Sequence, residues 1–159
     1  MSNAEAAPTV RPAVPSDLDR VVQFNELLAL ETEGKELDPS LLRPGVEKAL
    51  REQGPCRYFV AEEDGEVIGQ AMVTREWSDW RNGYFWWLQS VYVQRDYRRR
   101  GVLRSLYRHV VALAEGTSDV CGLRLYVDKH NDEARSAYQQ LGMTDTEYLV
   151  YEREWPGRG

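Results

Sequence analysis

The chain has 159 residues and a formal net charge of -6, from 20 Lys and Arg residues against 26 Asp and Glu residues. This is the length of one ordinary domain, and a hydrophobic fraction of 42% can form a sizeable core. The sequence has no run of about 18 apolar residues that would span a bilayer, and its N-terminus lacks a secretory signal pattern. We therefore expect a globular, cytoplasmic protein with no membrane partner.

Metal and thiol chemistry are not favoured by the cysteines and histidines. Cys56 and Cys121 lie far apart, and neither belongs to a Cys-x-x-Cys pair. His109 and His130 have no second ligand at metal-binding spacing. The sequence therefore predicts neither a metal ion nor a Cys–His nucleophile pair.

The basic residues are concentrated in one segment, residues 94–108. This segment holds six arginines and one acidic residue, Asp96, which gives a local charge of +5 in an otherwise acidic chain. A compact basic patch suggests a local anionic partner. The alternative is a solvated helix start whose arginines pair with nearby acids. Nucleic-acid-binding domains are normally basic overall, so the net charge argues against nucleic acid as a partner.

The N-terminal part of the chain predicts one strand and two helices. The β-branched segment Thr9–Val14 is typical of an edge strand, because Pro12 interrupts it. Ser16 is a suitable N-cap for the helix that follows. A second helix is predicted for Pro39–Gln53, with Pro44 and the glycine after it as a candidate break.

A hairpin and a buried strand come next. Asp64-Gly65 predicts a tight turn between the strands Arg57–Glu63 and Val67–Glu76. A polar turn then leads into Tyr84–Gln94, a long apolar and aromatic run. Such a run predicts a central strand that is buried on both faces.

The C-terminal part alternates between helices and strands. The predicted elements are a helix at Gly101–Glu115, a strand at Leu123–Asp128, a helix from Asn131 to a C-cap at Gly142, and a last strand at Tyr148–Glu154. Val102, Leu106 and Val110 line one face of the first of these helices. The full order of elements predicts an α/β fold with a mixed sheet and helices on both sides.

The strand, turn and helix around Gly101 form a candidate anion site. A helix that begins directly after a glycine has free backbone N–H groups, and its dipole places partial positive charge there. Such an end binds phosphate, and the flanking arginines would strengthen the binding. The alternative is an ordinary strand-to-helix turn.

A second motif follows the next strand. Asn131, Ala134 and Tyr138 occur at helical spacing before Leu141-Gly142. Asn131 is a good N-cap and Tyr138 can flank a core, which is the structural interpretation. In the functional interpretation, the Tyr138 hydroxyl donates a proton or a hydrogen bond in a cleft.

Together the two motifs resemble those of the GNAT family of N-acetyltransferases. The phosphate-loop pattern of that family has Arg or Gln, two residues, Gly, one residue and a small residue. Arg98 to Leu103 is similar to it, with Leu103 in the place of the small residue. The segment from Asn131 to Met143 is similar to the second family signature. The order of elements is also similar, so the resemblance covers residues 8–155.

The resemblance implies an α/β (α+β) fold with a mixed, mostly antiparallel central sheet. Helices would cover both faces of the sheet, and a V-shaped cleft would hold the cofactor. Residues 8–155 would form a single N-acetyltransferase domain. Residues 1–7 would be a flexible N-terminus, in which Ser2-Asn3-Ala4 look like a tag remnant.

The resemblance also implies acetyl-CoA as the cofactor. The backbone of Val91, Tyr92 and Val93 looks like the strand segment that pairs with the pantetheine arm, beside a bulge that splays this strand from its parallel neighbour. Asn131 looks like a cofactor contact, and Tyr138 like a contact that also protonates the departing CoA thiolate. The implied pyrophosphate-binding residues are Arg98, Arg99, Arg100, Gly101, Val102, Leu103 and Arg104.

In such a reaction an amine attacks the thioester directly, so the enzyme needs no nucleophile of its own. The amine must lose a proton, yet the strand Tyr84–Ser90 contains no carboxylate to accept it. Either water relays the proton or an acid comes from another segment. We assign the base to Glu33; Glu31, Glu76, Asp79 and Asp128 are the other candidates. The acceptor contacts are assigned to Glu31, Glu33, Trp77, Trp87 and Gln89, which would suit a cationic amine.

The leading hypothesis is an acetyl-CoA-dependent N-acetyltransferase that acts on a primary amine of a small molecule or on a peptide or protein amino group. The alternative is a non-catalytic acyl-CoA-binding regulatory module on the same fold. Nucleic-acid contact through the basic segment is a third and less favoured hypothesis. The strand from Tyr148 to Trp155 could also pair across a homodimer.

Overall fold

The computed structural model describes residues 6–52 and 54–159 of the chain. The strands are β1 (Thr9–Pro12), β2 (Cys56–Glu63), β3 (Glu66–Ser78), β4 (Gly83–Val93) and β5 (Val120–Leu125). The helices are α1 (Leu18–Glu33), α2 (Pro39–Arg51), α3 (Val102–Glu115) and α4 (Asp132–Gln140). The chain forms two compact units, one that extends to Leu125 and one from Tyr126 to Gly159. Most of the predicted flexible N-terminus, and Gln53 at the predicted end of the second helix, lie outside the described residues.

The first unit contains a five-stranded sheet in the order β1-β2-β3-β4-β5. The first four strands pair antiparallel, and β5 runs parallel to β4. The Asp64-Gly65 turn joins β2 to β3 as predicted, with positive φ at both residues. The expectation of a mixed, mostly antiparallel sheet is therefore confirmed.

Helices α1 and α2 cover one face of the sheet. Val21 and Val46 from these helices form a buried cluster with Tyr58 and Val60 of β2. These two strand residues are two positions apart and so share a face, because side chains alternate along a strand. The residue between them, Phe59, points to the opposite face and is also fully buried. The sheet is therefore covered on both sides, as its apolar strands predicted.

Helix α3 covers the other face. Its buried residues Val102, Leu106 and Val110 recur every fourth position, as an amphipathic helix requires. The helix packs very close to β3 at Gly69, where a Cβ atom would lie 3.1 Å from Val102 Cγ1. The His109 ring also meets the Phe59 ring edge-on, with 5.3 Å between centroids. Only a residue without a side chain at position 69 allows this approach without a shift.

The start of α1 differs from the prediction. Ser16 lies in a short 3₁₀ turn, Pro15–Asp17, and the α-helix begins only at Leu18. The neighbouring Asp17 accepts the Val14 N–H at 2.8 Å and holds Arg11 in an ion pair at 2.8 Å. The prediction of Ser16 as the N-cap was wrong, because the buried Asp17 carboxylate organises this turn instead.

The predicted last strand is absent from the second unit. The described residues 148–154 have no strand conformation. Tyr148, Leu149 and Tyr151 are 77%, 79% and 91% exposed. An apolar segment with strand propensity forms a strand only when a neighbouring strand receives its backbone hydrogen bonds. No helix among the described residues is both long enough and apolar enough to cross a membrane.

Candidate functional site

A bulge interrupts β4 near its end. Gln89 pairs with Met72 and Tyr92 with Gln70, so three steps along β4 correspond to two along β3. The extra residue is accommodated at Ser90, which has a φ of 49°. A bulge bends its strand and increases the local twist. The sequence placed a bulge here only through the family resemblance, and the structure contains it.

Beyond the bulge, β4 separates from β5. The parallel pairing ends at Leu88 and Leu125. Among the described residues of the first unit, no strand pairs with that side of Gln89–Val93. Backbone N–H and C=O groups on an open strand edge can bind an extended ligand that carries amide groups. This edge includes Val91, Tyr92 and Val93, the residues expected to meet the pantetheine arm.

A buried network of polar side chains hydrogen-bonds to the backbone at the bulge. The fully buried Gln70 donates from Nε2 to the Ser90 carbonyl oxygen at 3.0 Å and to Asn25 Oδ1 at 3.4 Å. Asn25 in turn donates to the Tyr58 hydroxyl at 3.2 Å. Buried polar groups of this kind specify one arrangement of a core, because any other leaves them without hydrogen bonds.

These network residues were not singled out from the sequence. The one available indication was Gln70 itself, a polar residue within the otherwise apolar segment Val67–Val73. Its partners Asn25 and Tyr58 lie 45 and 12 positions away in the sequence, so only the fold reveals them. The Gln70 Oε1 atom is buried and has no hydrogen-bond partner in the described structure.

The loop from Gln94 to Gly101 joins β4 to α3 with two left-handed residues. Arg99 has a φ of 62° and Gly101 a φ of 81°. A Cβ atom at Gly101 would meet nothing within 4 Å, so this stretch of backbone is open to a ligand. The first helical hydrogen bond runs from Ser105 N–H to the Gly101 carbonyl at 3.0 Å.

The geometry of this loop suits an anion. The N–H groups of the first helical residues, Val102 to Arg104, precede the first turn of intrahelical hydrogen bonds. The helix dipole adds partial positive charge at the same place. The exposed loop and the open space over Gly101 therefore fit a diphosphate group of the kind that coenzyme A carries.

Arginines of the loop also form ion pairs with acids, which was the alternative interpretation of the basic segment. Glu31, in the last turn of α1, contacts Arg98 at 2.6 Å and Arg95 at 3.4 Å. Arg98 also donates to the Val93 carbonyl at 2.9 Å. Arg100 pairs with Glu63 at 3.3 Å. The cluster connects the end of α1 to the loop.

The charge of Glu31 is stabilised by these contacts. Partial burial by itself would raise the pKa of its carboxyl group, but the hydrogen bond from Arg98 and the charges of Arg98 and Arg95 outweigh burial. The pKa of Glu31 is therefore held below its ordinary value. At neutral pH, Glu31 is an anion that occupies the guanidinium group of Arg98.

The other residues assigned to the acceptor amine do not share one surface; they are Glu33, Trp77, Trp87 and Gln89. Glu33 is exposed at the end of α1 and lies 3.6 Å from the Lys35 amine. Trp87 pairs with Thr74, and Trp77 pairs with Tyr84, three positions earlier than Trp87 on β4.

Odd spacing on a strand places side chains on opposite faces, so the two tryptophans do not form one wall. Gln89 donates to the Thr74 hydroxyl at 3.0 Å, on the face that carries Trp87. Glu76 pairs with Arg124 at 2.9 Å. No group of three or more His, Cys, Asp or Glu side chains in the described part of the chain could hold a metal ion.

The second unit carries the other family motif. Asn131 caps α4, since its Oδ1 accepts the Ala134 N–H at 3.1 Å. Tyr138 lies on the same helix, and burial raises the pKa of its phenol to about 12. The hydroxyl therefore keeps its proton throughout the neutral range and acts as a hydrogen-bond donor.

Known proteins share these features. Residues 22–143 match the model of the Acetyltransferase (GNAT) family. A protein described as a possible acetyltransferase from Clostridium difficile 630 is 41% identical, with a TM-score of 0.87 over 94% of this chain and 99% of that one. The chain therefore belongs to the acetyltransferase (GNAT) family. No curated protein matches the sequence.

More distant solved structures share the fold. The ribosomal-protein-alanine N-acetyltransferase from Brucella melitensis biovar Abortus 2308 is 16% identical, with a TM-score of 0.76 over 94% of this chain and 99% of that one. A protein described as a predicted acetyltransferase with acetyl-CoA, from Clostridium acetobutylicum, is 18% identical. Its TM-score is 0.74 over 91% of this chain and 95% of that one. At these identities the likeness is one of fold.

Proposed function

We propose that this protein is an acetyl-CoA-dependent N-acetyltransferase that transfers the acetyl group to a primary amine by direct attack. The observation that carries the proposal is the open edge of β4 beyond the Ser90 bulge, directly followed by the anion-binding loop. The open strand edge would recognise the extended pantetheine arm of coenzyme A, and the loop would recognise its diphosphate. Membership of an acetyltransferase family supports the same conclusion.

The donor would be held mainly by backbone groups. Val91, Tyr92 and Val93 offer their N–H and C=O groups to the amides of the pantetheine arm. The diphosphate would accept hydrogen bonds from the N–H groups between Arg99 and Arg104, with Arg98 adding charge. Acetyl-CoA supplies an activated thioester carbonyl, so this chain needs to orient the two reactants rather than provide a nucleophile.

We assign Tyr138 to the departing sulfur. With a pKa of about 12, its phenol is a much weaker acid than an ordinary thiol, whose pKa is about 8.5. It therefore would not give its proton to a free thiolate. Its role is to donate a hydrogen bond to the sulfur and to stabilise the negative charge that develops as the C–S bond breaks, while the released thiolate takes its proton from solvent. Asn131 is assigned to the cofactor as well.

We assign Glu33 to the acceptor amine. Glu31 is engaged by two arginines, whereas Glu33 meets only the surface residue Lys35 in the ion pairs of the described residues. A carboxylate at the end of α1 would attract a protonated amine and then take its proton, directly or through water. The acidic net charge of -6 would favour a cationic acceptor over a long distance.

Isothermal titration with acetyl-CoA tests the donor assignment. We expect micromolar binding that weakens as salt rises, since a diphosphate is held partly by charge. Replacement of Tyr138 by phenylalanine should lower kcat by about 10²-fold or more, with little change in the Kd for acetyl-CoA. Tyr151→Phe is the matched control, because Tyr151 is 91% exposed in the same unit. An unchanged kcat for Tyr138→Phe would remove that residue from the reaction.

The alternative is a non-catalytic acyl-CoA-binding module. The observation that favours it is the lack of a carboxylate on the strand Tyr84–Ser90. A panel of polyamines, amino sugars and peptides with a free alanine N-terminus separates the two functions. Acetyl-CoA binding without transfer to any amine would favour the module, and absence of binding at millimolar acetyl-CoA would refute both.

A further inference from the structure

A cavity lies near the start of β4, away from the bulge. It has a volume of about 260 Å³ and is lined by residues of β2, β3 and β4, together with Gly54 and Pro55 just before β2 and Thr117 just after α3. Its β4 residue is Trp86, four positions before Ser90. At a rise of about 3.3 Å per residue, the two positions are about 13 Å apart along the strand. The cavity is therefore separate from the proposed cofactor loop.

The charged lining of this cavity is basic. Arg57 and Arg75 both line it, and no acidic residue does so among the described residues. Arg75 donates to the Gly54 carbonyl at 3.2 Å, which uses one of its five N–H donors. Neither arginine forms an ion pair in the described part of the chain. By contrast, Arg95, Arg98 and Arg100 of the loop all have carboxylate partners.

The two guanidinium groups are placed on the same face of the sheet. Arg57 pairs across the strands with Val73, and Arg75 is two positions further along β3. Each is held over an aromatic ring, Arg57 over Phe59 and Arg75 over Tyr84, at 5.2 Å from the ring centroid in both cases. Such stacking limits the freedom of the side chains and leaves the planar edges free to bind an anion.

Apart from Thr117, the rest of the described lining has no polar side chain other than the Cys56 thiol. Phe59, Val73 and Trp86 line the cavity beside the arginines. Ligand pockets for drug-sized molecules have volumes of about 300–1,000 Å³, so this one suits a fragment-sized ligand. The C-terminal end of α3 lies near Thr117 and disfavours anions, but its partial charge of about one half is smaller than two guanidinium charges.

We propose that this cavity, here called the Arg57–Arg75 cavity, binds a small organic carboxylate with a flat apolar body. The carboxylate would accept paired hydrogen bonds from the guanidinium groups. The apolar body would lie against Pro55 and the edge of Trp86, since Phe59 is fully buried beneath Arg57. This site is independent of acetyl transfer, and its ligand would be neither the donor nor the amine.

The pKa of His109 can be used to detect a ligand bound in the cavity. The His109 ring contacts Phe59, and its pKa is held below the ordinary value by burial and then by the charge of Arg57. An anion bound at Arg57 would offset that charge, so the pKa of His109 should rise when the cavity is filled. The chain has two histidines, and His130 lies in the other unit as an internal reference.

The test is a titration of the full chain with benzoate, followed by NMR of the two imidazoles. Benzamide, which has the same shape and no charge, is the control ligand, and inorganic phosphate tests a bare anion. We expect benzoate to bind and to raise the pKa of His109, while the imidazole resonances of His130 should not respond to benzoate. Benzamide and phosphate should bind at least about tenfold more weakly, since each lacks one of the two recognised parts.

Variants separate this site from a general charge effect. Arg57→Gln and Arg75→Gln should each weaken benzoate binding by about tenfold. Arg51→Gln removes the same charge from an exposed arginine paired with Glu47, and it should leave binding unchanged. Equal binding of benzoate and benzamide, an unmoved His109, or equal losses in all three variants would overturn the proposal. The NMR spectrum of each variant verifies that it is folded.

Discussion

Replacement of Glu31 by glutamine tests how the loop of the proposed cofactor site is held before the donor arrives. The change removes a carboxylate from Arg98 and Arg95 and keeps nearly the same side-chain shape. In the structure, the diphosphate of coenzyme A and the Glu31 carboxylate would compete for one guanidinium group, that of Arg98. Binding of the donor therefore requires that this ion pair be exchanged. Glu31→Gln should bind coenzyme A more tightly than the unmodified protein.

The expected size follows from the exposure of the ion pair. The Arg95 side chain is 77% exposed, so its contact at 3.4 Å contributes little. The Arg98 side chain is 40% exposed and that of Glu31 is 24% exposed, with 2.6 Å between the charged atoms. Exposed pairs contribute about 0.2–1 kcal/mol, and the partial burial of Glu31 places this pair near 1 kcal/mol. One kcal/mol corresponds to about a fivefold gain in affinity.

The assay is isothermal titration of coenzyme A into both proteins at low and at physiological salt. The gain should shrink at higher salt, because screening weakens the pair that the variant lacks. Glu36→Gln, at an exposed position in the loop after α1, is the matched control for the change in net charge. A fivefold loss of affinity for Glu31→Gln would refute the reasoning. It would mean that the carboxylate orients Arg98 in the bound state rather than competing with the donor.

The same pair predicts a dependence of stability on pH. The pKa of Glu31 is lowered on folding from its ordinary value of 4.5. Its stabilising contribution is therefore fully present above that ordinary value, and it is lost as the pH falls through the lower folded value. The free energy of unfolding of Glu31→Gln should lie about 1 kcal/mol below that of the unmodified protein at pH 7. The two curves should converge in acid, as measured by urea titration at several pH values.

Four further predictions concern the site and the frame around it. Gly83→Ala would place a Cβ atom 2.9 Å from the Asp119 carbonyl oxygen and should cost about 1–3 kcal/mol in urea unfolding. Gly45→Ala, in α2 with nothing within 4 Å, should instead stabilise by about 0.5–1 kcal/mol. Asp17→Asn should destabilise at pH 7 and not in strong acid, since the arginine partner of Asp17 lowers its pKa against burial. Gly101→Val should weaken coenzyme A binding about tenfold in calorimetry, because its φ is 81°.

Local features of the sequence predicted the frame of the site. Helix α3 was predictable because its apolar residues recur at helical spacing and a glycine precedes it. The β2–β3 hairpin was predictable because Asp64-Gly65 tolerates positive φ. The anion-binding character of the loop followed from the helix start and its arginines. Each of these depends on interactions between residues close in the chain, which a single sequence displays directly.

The tertiary structure decided which groups meet. Glu31 and Arg98 are 67 positions apart, and no local pattern indicates that they form an ion pair. No local pattern indicates that Gln70 hydrogen-bonds to Ser90 at the bulge. Nor does any local pattern indicate that Trp77 and Trp87 lie on opposite faces of the sheet.

Residues 148–154 show that a local sequence pattern can also predict an element that the fold does not form. The first four residues, Tyr148 to Tyr151, form an apolar and aromatic run that favours a strand, yet the structure has no strand there. A local sequence pattern indicates which element a segment could form and which of its faces would be apolar. Strand pairing and ion pairs depend on residues distant in the sequence, which only the folded chain brings together.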